Sequence, residues 1–217
     1  MVLTLETGTE YLPDHERLRR SFVHDEALRR KSVVMQDRWD LKGRCTYYDI
    51  HLERNTIGTF RVSTGQNSAQ PEERGIIQDW TKGYSSLPWG PHVLDVTRVS
   101  NDPEAQGKGL YGAQFLLALW AAERMPNITH VCAIIKSDLF YAQATLRRLG
   151  FIETNRGSLL HSYDVPGQVV PVVAMCHVLR GNENCREDAH LYSSAKLRSN
   201  GIDFPQFFAR NRLALAG

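Results

Sequence analysis

An aspartate and an arginine lie three residues apart in a run of β-branched residues. Asp95 and Arg98 stand among Val93, Val96 and Val99, a composition that predicts a β-strand. A carboxylate with its ordinary pKa of about 4 is a weak base unless its surroundings raise that pKa. We take Asp95 as the candidate general base. Because an unperturbed carboxylate is a weak base, we expect it to remove a proton from a nucleophile through a water molecule.

A structural ion pair is the alternative role for Asp95. Side chains of a strand alternate between its two faces, so residues three apart are expected to point in opposite directions. This spacing disfavours a direct pair between Asp95 and Arg98. Each side chain is then expected to have a different partner, such as Arg61 or Asp37.

A glycine-rich segment follows the predicted strand and leads into an apolar run over residues 110–120. A strand, a glycine-rich loop and a helix in this order direct the unpaired N–H groups of the first helical turn at an anion. The motif alone is weak evidence, but its position before a buried helix strengthens it. We call residues 106–112 the glycine loop and predict that it binds phosphate through Gln106, Gly107, Lys108, Gly109, Leu110 and Gly112.

The remaining sequence alternates short β patterns with helical ones. Two alternating runs joined by Arg54 and Asn55 predict an antiparallel hairpin. Ser137 is expected to cap a helix that ends at Gly150, and Pro171 predicts an edge strand or a bulge. The predicted strands cover residues 2–5, 45–53, 56–63, 92–100, 130–135, 151–154 and 168–179, and the predicted helices 13–31, 110–125, 137–148 and 187–198, with a short one around 76–80.

Composition limits the class of protein. A chain of 217 residues is long enough for one sizeable α/β domain. Its net charge of +2 argues against a protein that coats nucleic acid, and no segment approaches the roughly 18 apolar residues of a membrane span. The four cysteines are far apart, which predicts free buried thiols in the cytoplasm. Their spacing from histidines fits no common metal-ligand pattern, so we predict no metal.

The order of these elements resembles the GNAT acyltransferase fold over roughly residues 2–180. The local marks are QGKGLYG in the glycine loop and RRLGF at residues 147–151. The resemblance implies an α/β (α+β) domain with a mixed central sheet of about seven strands flanked by helices. It implies a domain over residues 1–180. The polar composition after Gly181 and the helical pattern over residues 187–198 predict that residues 181–217 are a C-terminal helical extension packed on this domain. The glycine loop would then bind the phosphate of a pantetheine arm, on coenzyme A (CoA) or an acyl carrier protein.

Two positions depart from the pattern of that fold. Tyr111 stands in the loop where a small residue is usual. Leu146 stands five residues before Phe151, where many acetyltransferases of the fold have a tyrosine that protonates the leaving thiolate. The second departure makes an ordinary acetyl-CoA-dependent enzyme a weaker expectation.

Three upstream features resemble acyl-homoserine-lactone (autoinducer) synthases and the related long-chain N-acyl amino acid synthases. Asp37 and Asp40 are similar to the acidic pair of that group. The segments GTFR at residues 58–61 and DVTR at residues 95–98 are similar to its G-x-x-R and E-x-S-R strands, although Asp95 replaces the usual glutamate. The resemblance implies that Asp37, Asp40, Arg61 and Arg98 bind substrate, although loop capping and ion pairing are the alternatives for these residues.

Both groups transfer an acyl chain from a thioester to a primary amine. The donor would be an acyl-CoA or an acyl carrier protein. The acceptor would be S-adenosylmethionine (SAM), which gives the acyl-homoserine lactones of quorum sensing, or an amino acid. The alternatives are a conventional acetyl-CoA-dependent N-acetyltransferase, SAM chemistry without acyl transfer, and a non-catalytic member of the fold that binds a ligand or a partner protein.

Aminolysis of a thioester also requires stabilisation of the carbonyl oxygen. The expected donor is a backbone N–H near Val99 or Ser100, where the strand must bend away from its neighbour. We therefore predict that Ser100, like Asp95, is catalytic, and that Val99, like the glycine loop, binds the acyl donor. The candidates for an apolar acyl tunnel, which could equally be core residues, are Phe115, Cys132, Ile134, Phe140 and Leu146.

A run of basic residues lies in the first predicted helix. Arg17, Arg19 and Arg20 fall within four positions of one another. They are expected to form a solvated helix face or, alternatively, a docking patch for an acidic partner.

Overall fold

The computed structural model describes residues 3–22, 40, 44–64, 76–78, 89–154, 159–162, 169–179, 195 and 198. Aspartate 37 and nearly all of the predicted C-terminal extension lie outside these residues. The strands are β1 (Leu3–Gly8), β2 (Thr46–Leu52), β3 (Asn55–Thr64), β4 (Ile76–Gln78), β5 (Val93–Asn101), β6 (His130–Lys136), β7 (Ile152–Glu153), β8 (Leu159–Ser162) and β9 (Val169–Val178). The helices are α1 (Pro13–Phe22), a 3-10 helix (Pro103–Ala105), α2 (Leu110–Glu123) and α3 (Phe140–Arg148).

The nine strands of the described residues belong to one mixed sheet. Its order is β1-β2-β3-β5-β6-β9-β8-β4, with β7 also paired to β9. Strands β5 and β6 run parallel, and the other neighbours are antiparallel. The predicted mixed sheet flanked by helices is confirmed. It has more than the expected seven or so strands because β4 and β8, of three and four residues, are too short to recognise from periodicity.

The sheet has a helix-covered core on one face. The main core contains Phe60 and Val62 of β3 together with Leu94 and Val96 of β5. Helix α2 is buried nearly all round in this core, as its apolar sequence predicts. Helix α1 packs on the opposite face of β3 and β5 and buries Leu18 there. The two faces therefore differ, and among the described residues the buried charged side chains lie on the α1 face.

Three local predictions were wrong. Helix α3 begins at Phe140 with Leu139 as its N-cap, so Ser137 does not cap it. Residues 76–78 form strand β4 on the edge of β8, because pairing with an open strand edge outweighs the local pattern. Strand β9 is an inner strand without a register shift, and Pro171 lies just beyond the last partner that β9 has on β6.

No helix among the described residues is long and apolar enough to cross a membrane. Cys45, Cys132 and Cys176 are buried, as the sequence predicted, and Sγ of Cys132 donates to Sγ of Cys176 at 2.9 Å. Cys185 lies outside the described residues.

His177 of β9 makes stability depend on pH. Its ring is fully buried and 5.4 Å from that of Phe151. Burial lowers the pKa of His177, and the backbone of Leu149 and Gly150 opposes this less strongly. The pKa of His177 is therefore lower in the folded than in the unfolded protein. The stability that this difference contributes is present above the unfolded pKa of about 6.5 and is lost as the pH falls.

We expect the free energy of unfolding to fall between pH 7 and pH 5 more steeply in the wild type than in His177→Leu. Leucine has no charge to bury, whereas the unfolded histidine gains a proton that the folded one resists. Urea denaturation of both proteins at the two pH values measures the difference. Equal slopes in the two proteins would mean that His177 titrates normally in the fold.

Candidate active site

A β-bulge interrupts the pairing of β5 with β3. Thr59 is opposite Ser100 and Arg61 is opposite Thr97. Between these pairs, the single residue Phe60 of β3 is opposite two residues of β5, Arg98 and Val99. One of them, Arg98, has a left-handed φ of 54°. A bulge with a left-handed residue bends its strand and increases the twist. The bend expected near residues 99 and 100 is therefore present, and it lies at Arg98 and Val99.

The strands β5 and β6 separate at the same level. Their ladder runs only from Val93–His130 to Val96–Ala133. Both strands continue, β5 to Asn101 and β6 to Lys136. Beyond Val96, the edge of β5 that faces β6 has no partner on that strand. The ladder therefore ends just before the bulge, and we call this separation of the two strands the opening.

Asp95 lies one residue before the end of that ladder. It is 2% exposed and pairs with Ser63 on β3 and with Cys132 on β6. Its position brings it to the base of the opening. The bulge resets the alternation of side chains beyond Thr97, so the spacing argument that Asp95 and Arg98 point in opposite directions does not hold in this strand.

The glycine loop begins after the 3-10 helix and ends in the first turn of α2. The carboxylate of Asp102 caps the 3-10 helix by accepting from the N–H of Glu104. Gly107 and Gly109 have left-handed φ angles of 73° and 88°, and Gly109 is the N-cap of α2. Gln106 and Lys108 are exposed. Leu110 is buried in the main core, so it can offer a ligand only its backbone.

The two departures from the fold's pattern have structural explanations. Tyr111 does not crowd the loop, because its ring packs 5.1 Å from that of Phe115 beside the main core. Burial raises the pKa of Tyr111. Leu146 is part of the main core, and Tyr141, one turn earlier, is largely exposed. The position of Leu146 therefore supplies no proton donor for a thiolate.

A buried ion cluster lies on the α1 face. We define it by Arg19, Asp40, Tyr47 and Arg61, all less than 5% exposed. Arg19 donates to both oxygens of Asp40 at 2.8 and 3.1 Å, and Arg61 donates to Oδ1 at 2.7 Å. The hydroxyl of Tyr47 donates to the same oxygen. Burial raises the pKa of Tyr47, and the carboxylate of Asp40 raises it further.

The ion cluster changes the interpretation of three residues. Arg19 is not part of a solvated face or a docking patch, whereas Arg17 and Arg20 are half-exposed. Asp40 and Arg61 bind each other. This is the ion pairing that the sequence analysis gave as the alternative to substrate binding. Arg61 also donates through Nε to Oγ1 of Thr97 at 3.0 Å. The cluster thus connects α1, β2 and β3 to the strand that carries the bulge.

A second polar group on this face was missed by the sequence analysis. Nε2 of His15 lies 2.9 Å from both oxygens of Asp49, and Thr59 donates to Oδ1 of Asp49 at 2.6 Å. The N–H of Leu12 donates to Nδ1 of His15. In this arrangement Nδ1 is the acceptor and Nε2 is the donor to Asp49.

Two sequence signals could have revealed these residues. His15, Leu18 and Arg19 share one helix face by their spacing, and a charged residue on an apolar helix face implies a buried partner. Tyr47 and Asp49 alternate with the apolar residues of β2. Neither signal identifies the partner, because Arg19 and Asp40 meet only in the folded chain.

The proposed acyl-tunnel residues are not brought together. Phe115 and Leu146 belong to the main core, and Cys132 packs with Val93 and Cys176 in a separate cluster. Ile134 lies against a third cluster, and Phe140 is 74% exposed. These residues do not line a common tunnel.

A cleft of about 340 Å³ borders the glycine loop on the side of the β2–β3 hairpin. Arg17, Arg54 and Lys108 line it, but so do three acidic residues, and Arg17 is held by Asp14, Asp102 and the carbonyl of Thr56. The equal numbers of opposite charges favour neither an anionic nor a cationic ligand. The cleft is lined by Asp14, Arg17, Leu52, Arg54, Asn55, Thr56, Ile57, Asp102, Glu104, Ala105, Lys108 and Leu110.

Gly107 allows a test of the loop conformation alone. A Cβ at this position would meet no atom within 4 Å, so the penalty of a substitution comes from the left-handed φ. We expect Gly107→Val to weaken CoA binding about tenfold, because a left-handed residue costs about 1–2 kcal/mol and β-branching increases the penalty. Isothermal titration calorimetry with CoA measures this.

Asparagine tolerates the left-handed region, so Gly107→Asn is the matched control and should bind CoA nearly as the wild type does. Equal binding by both variants and the wild type would mean that the loop conformation does not matter for CoA.

No protein-family model and no curated protein matches the sequence. Solved structures do match. An acyl-CoA N-acyltransferase from Pseudomonas aeruginosa has a TM-score of 0.54 and 18% identity, over 82% of this chain and 100% of that chain. A CoA-dependent acyl-homoserine lactone synthase, BjaI, in complex with SAM and isopentyl-CoA has a TM-score of 0.59 and 18% identity, over 83% of this chain and 81% of that chain.

A third match is the aminoglycoside acetyltransferase AAC(6')-Ib in complex with coenzyme A. Its TM-score is 0.54 and its identity 15%, over 85% of this chain and 99% of that chain. The shared architecture is that of the GNAT acyl-CoA N-acyltransferases, and this chain has the GNAT fold.

Proposed function

We propose that this protein is an N-acyltransferase that moves an acyl group from a thioester to the primary amine of a small molecule. The observation that carries the proposal is the opening between β5 and β6, which lies at the bulge and just before the glycine loop. A pantetheine arm is an extended chain with two amides, and an unpaired strand edge can bond such a chain as it would another strand. The N-terminus of α2 would receive the phosphate.

The chemical steps are assigned to residues of β5. Asp95 accepts the proton of the amine through a water molecule. A backbone N–H of Val99 or Ser100 at the bulge stabilises the carbonyl oxygen as it gains charge. Arg98 binds the carboxylate of the acceptor, because a guanidinium matches a carboxylate with two parallel hydrogen bonds.

The ion cluster has a supporting role in this proposal. Asp40 and Arg61 satisfy each other and hold Thr97, so we assign them to positioning β5 beside the acceptor. Asp37 remains a proposed acceptor-binding residue on the resemblance of its acidic pair.

SAM and amino acids are the proposed acceptors, since both have a primary amine next to a carboxylate. Acyl-CoA is the first donor to test, because the structurally similar BjaI is CoA-dependent, and an acyl carrier protein is the second. A role in quorum sensing would follow only from SAM as acceptor. The use of such substrates is consistent with the predicted cytoplasmic location.

The test is a matrix of donors and acceptors. Acetyl-, isopentyl- and decanoyl-CoA and the matching acyl carrier proteins are each incubated with SAM or a mixture of amino acids, and mass spectrometry detects the acylated amine. We expect an amide from at least one combination. Absence of product from every combination would contradict the proposal.

A non-catalytic ligand-binding protein is the second candidate. The burial of Leu146 in the main core favours it, because no tyrosine hydroxyl is available there to protonate a leaving thiolate. Binding of CoA that raises the melting temperature, without product from any combination, would support this candidate. An acetylated product restricted to acetyl-CoA would instead indicate a conventional N-acetyltransferase.

A further inference from the structure

A buried glutamine connects the helix that follows the glycine loop to the bulge. Gln114 of α2 is 0% exposed. Its Nε2 donates to the carbonyl of Thr59 at 3.1 Å and to the carbonyl of Ser100 at 3.4 Å. Thr59 and Ser100 are the first pair of the β3–β5 ladder after the bulge. One side chain thus bonds both strands at the point where their register changes.

The bulge explains why an amide is needed there. A bulge disrupts the local ladder, and a buried carbonyl without a partner costs about as much as a lost hydrogen bond. Glutamine is long enough to reach from a helix to the sheet, and its NH₂ group has two protons to donate.

Gly58 of the GTFR segment makes room for this arrangement. A Cβ at residue 58 would lie 2.7 Å from Oδ1 of Asn101, 2.9 Å from Cδ2 of Leu110 and 3.1 Å from Nε2 of Gln114. Such contacts are closer than real Cβ atoms allow or tighter than nearly all of them. A side chain at residue 58 would therefore displace the side chains of Asn101, Leu110 and Gln114 from the positions that they have here.

We propose that Gln114 is a positioning residue that sets the geometry of the bulge and so of the backbone N–H groups that would stabilise the carbonyl oxygen. This inference rests on the proposed acyl transfer. Because Gln114 is one helical turn after Leu110, it also fixes the distance between the phosphate end and the reacting end of the donor. Loss of its hydrogen bonds should leave CoA bound but wrongly placed for reaction.

The test compares two glutamines with matched surroundings. Gln143 of α3 is also buried and also donates through Nε2 to two carbonyls, those of Lys136 and Ser137. These carbonyls belong to the last residue of β6 and to the residue after it, and not to the bulge. Gln114→Met and Gln143→Met each keep the length of the side chain and remove both hydrogen bonds to the carbonyls. Gln143→Met also removes the bond that Oε1 of Gln143 accepts from Arg147 at 3.3 Å.

We expect Gln114→Met to lower kcat by about 10- to 100-fold, because a small displacement of reacting groups can cost about two orders of magnitude. The KM for the donor and the affinity for CoA should stay within about threefold of the wild type. Hydrogen–deuterium exchange of the peptide over residues 96–102 should become faster in this variant. Gln143→Met should show neither the fall in kcat nor the faster exchange in that peptide.

Equal falls of kcat in the two variants, or unchanged exchange at residues 96–102 in Gln114→Met, would overturn the proposal. If the wild type transfers no acyl group, the acyl-transfer proposal fails, whereas faster exchange confined to Gln114→Met still supports the link to the bulge.

Should Gln114→Met not fold, Gln114→Glu replaces it. A protonated glutamic acid donates one hydrogen bond and an ionised one donates none, so its kcat relative to the wild type should rise as the pH falls, and a flat ratio would contradict the proposal.

Discussion

Arg19→Ala is expected to lower the free energy of unfolding by about 3–5 kcal/mol, because removing one partner of a buried ion pair leaves the other charge uncompensated. Arg19 donates two hydrogen bonds to Asp40 inside the protein. Its guanidinium also lies 4.9 Å from the ring centre of Tyr11, a contact that contributes further stabilisation. Urea denaturation at neutral pH measures the effect.

The neighbouring arginine is the matched control. Arg20 pairs with Glu16 on the same helix, but both side chains are about half-exposed. Exposed pairs contribute only about 0–1 kcal/mol because water screens them. Arg20→Ala should therefore change stability by less than about 1 kcal/mol. Similar losses in the two variants would mean that the contribution of Arg19 comes from the helix surface and not from the ion cluster.

Asp95→Asn is expected to reduce acyl transfer by about 10²- to 10⁴-fold, the usual contribution of a general base. An amide has nearly the shape of the carboxylate but cannot accept the proton of the amine. CoA affinity and melting temperature should change little, because the glycine loop and the ion cluster are untouched. Steady-state kinetics with the donor and acceptor found in the substrate matrix measure the loss.

The control for this prediction is Asp138→Asn. Asp138 is exposed beyond the end of β6, so its replacement should leave kcat unchanged. If Asp95→Asn keeps wild-type kcat while binding CoA normally, Asp95 has a structural role and the base must be sought elsewhere. If Asp95→Asn loses CoA binding and stability together, the burial of Asp95 serves the fold.

Local sequence patterns were sufficient for the main elements of the fold. The apolar run of α2, the hairpin of β2 and β3 and the strands β5, β6 and β9 were placed within a few residues. These elements have hydrophobic periods or turn residues that depend on nearest neighbours only. The mixed sheet and its GNAT fold followed from their order and from the resemblance that this order carries.

Tertiary structure alone decided how the charged residues are used. Arg19 and Arg20 have the same charge and adjacent positions, yet one is buried against Asp40 and the other is half-exposed. The bulge at Arg98 and the end of the β5–β6 ladder depend on the register between strands that are distant in sequence. Apart from the short strands β4 and β8, the sequence by itself determined which of the described segments form strands and helices, because that depends on local periodicity. Burial, ion pairing and strand register depend on contacts between distant segments, which exist only in the folded chain.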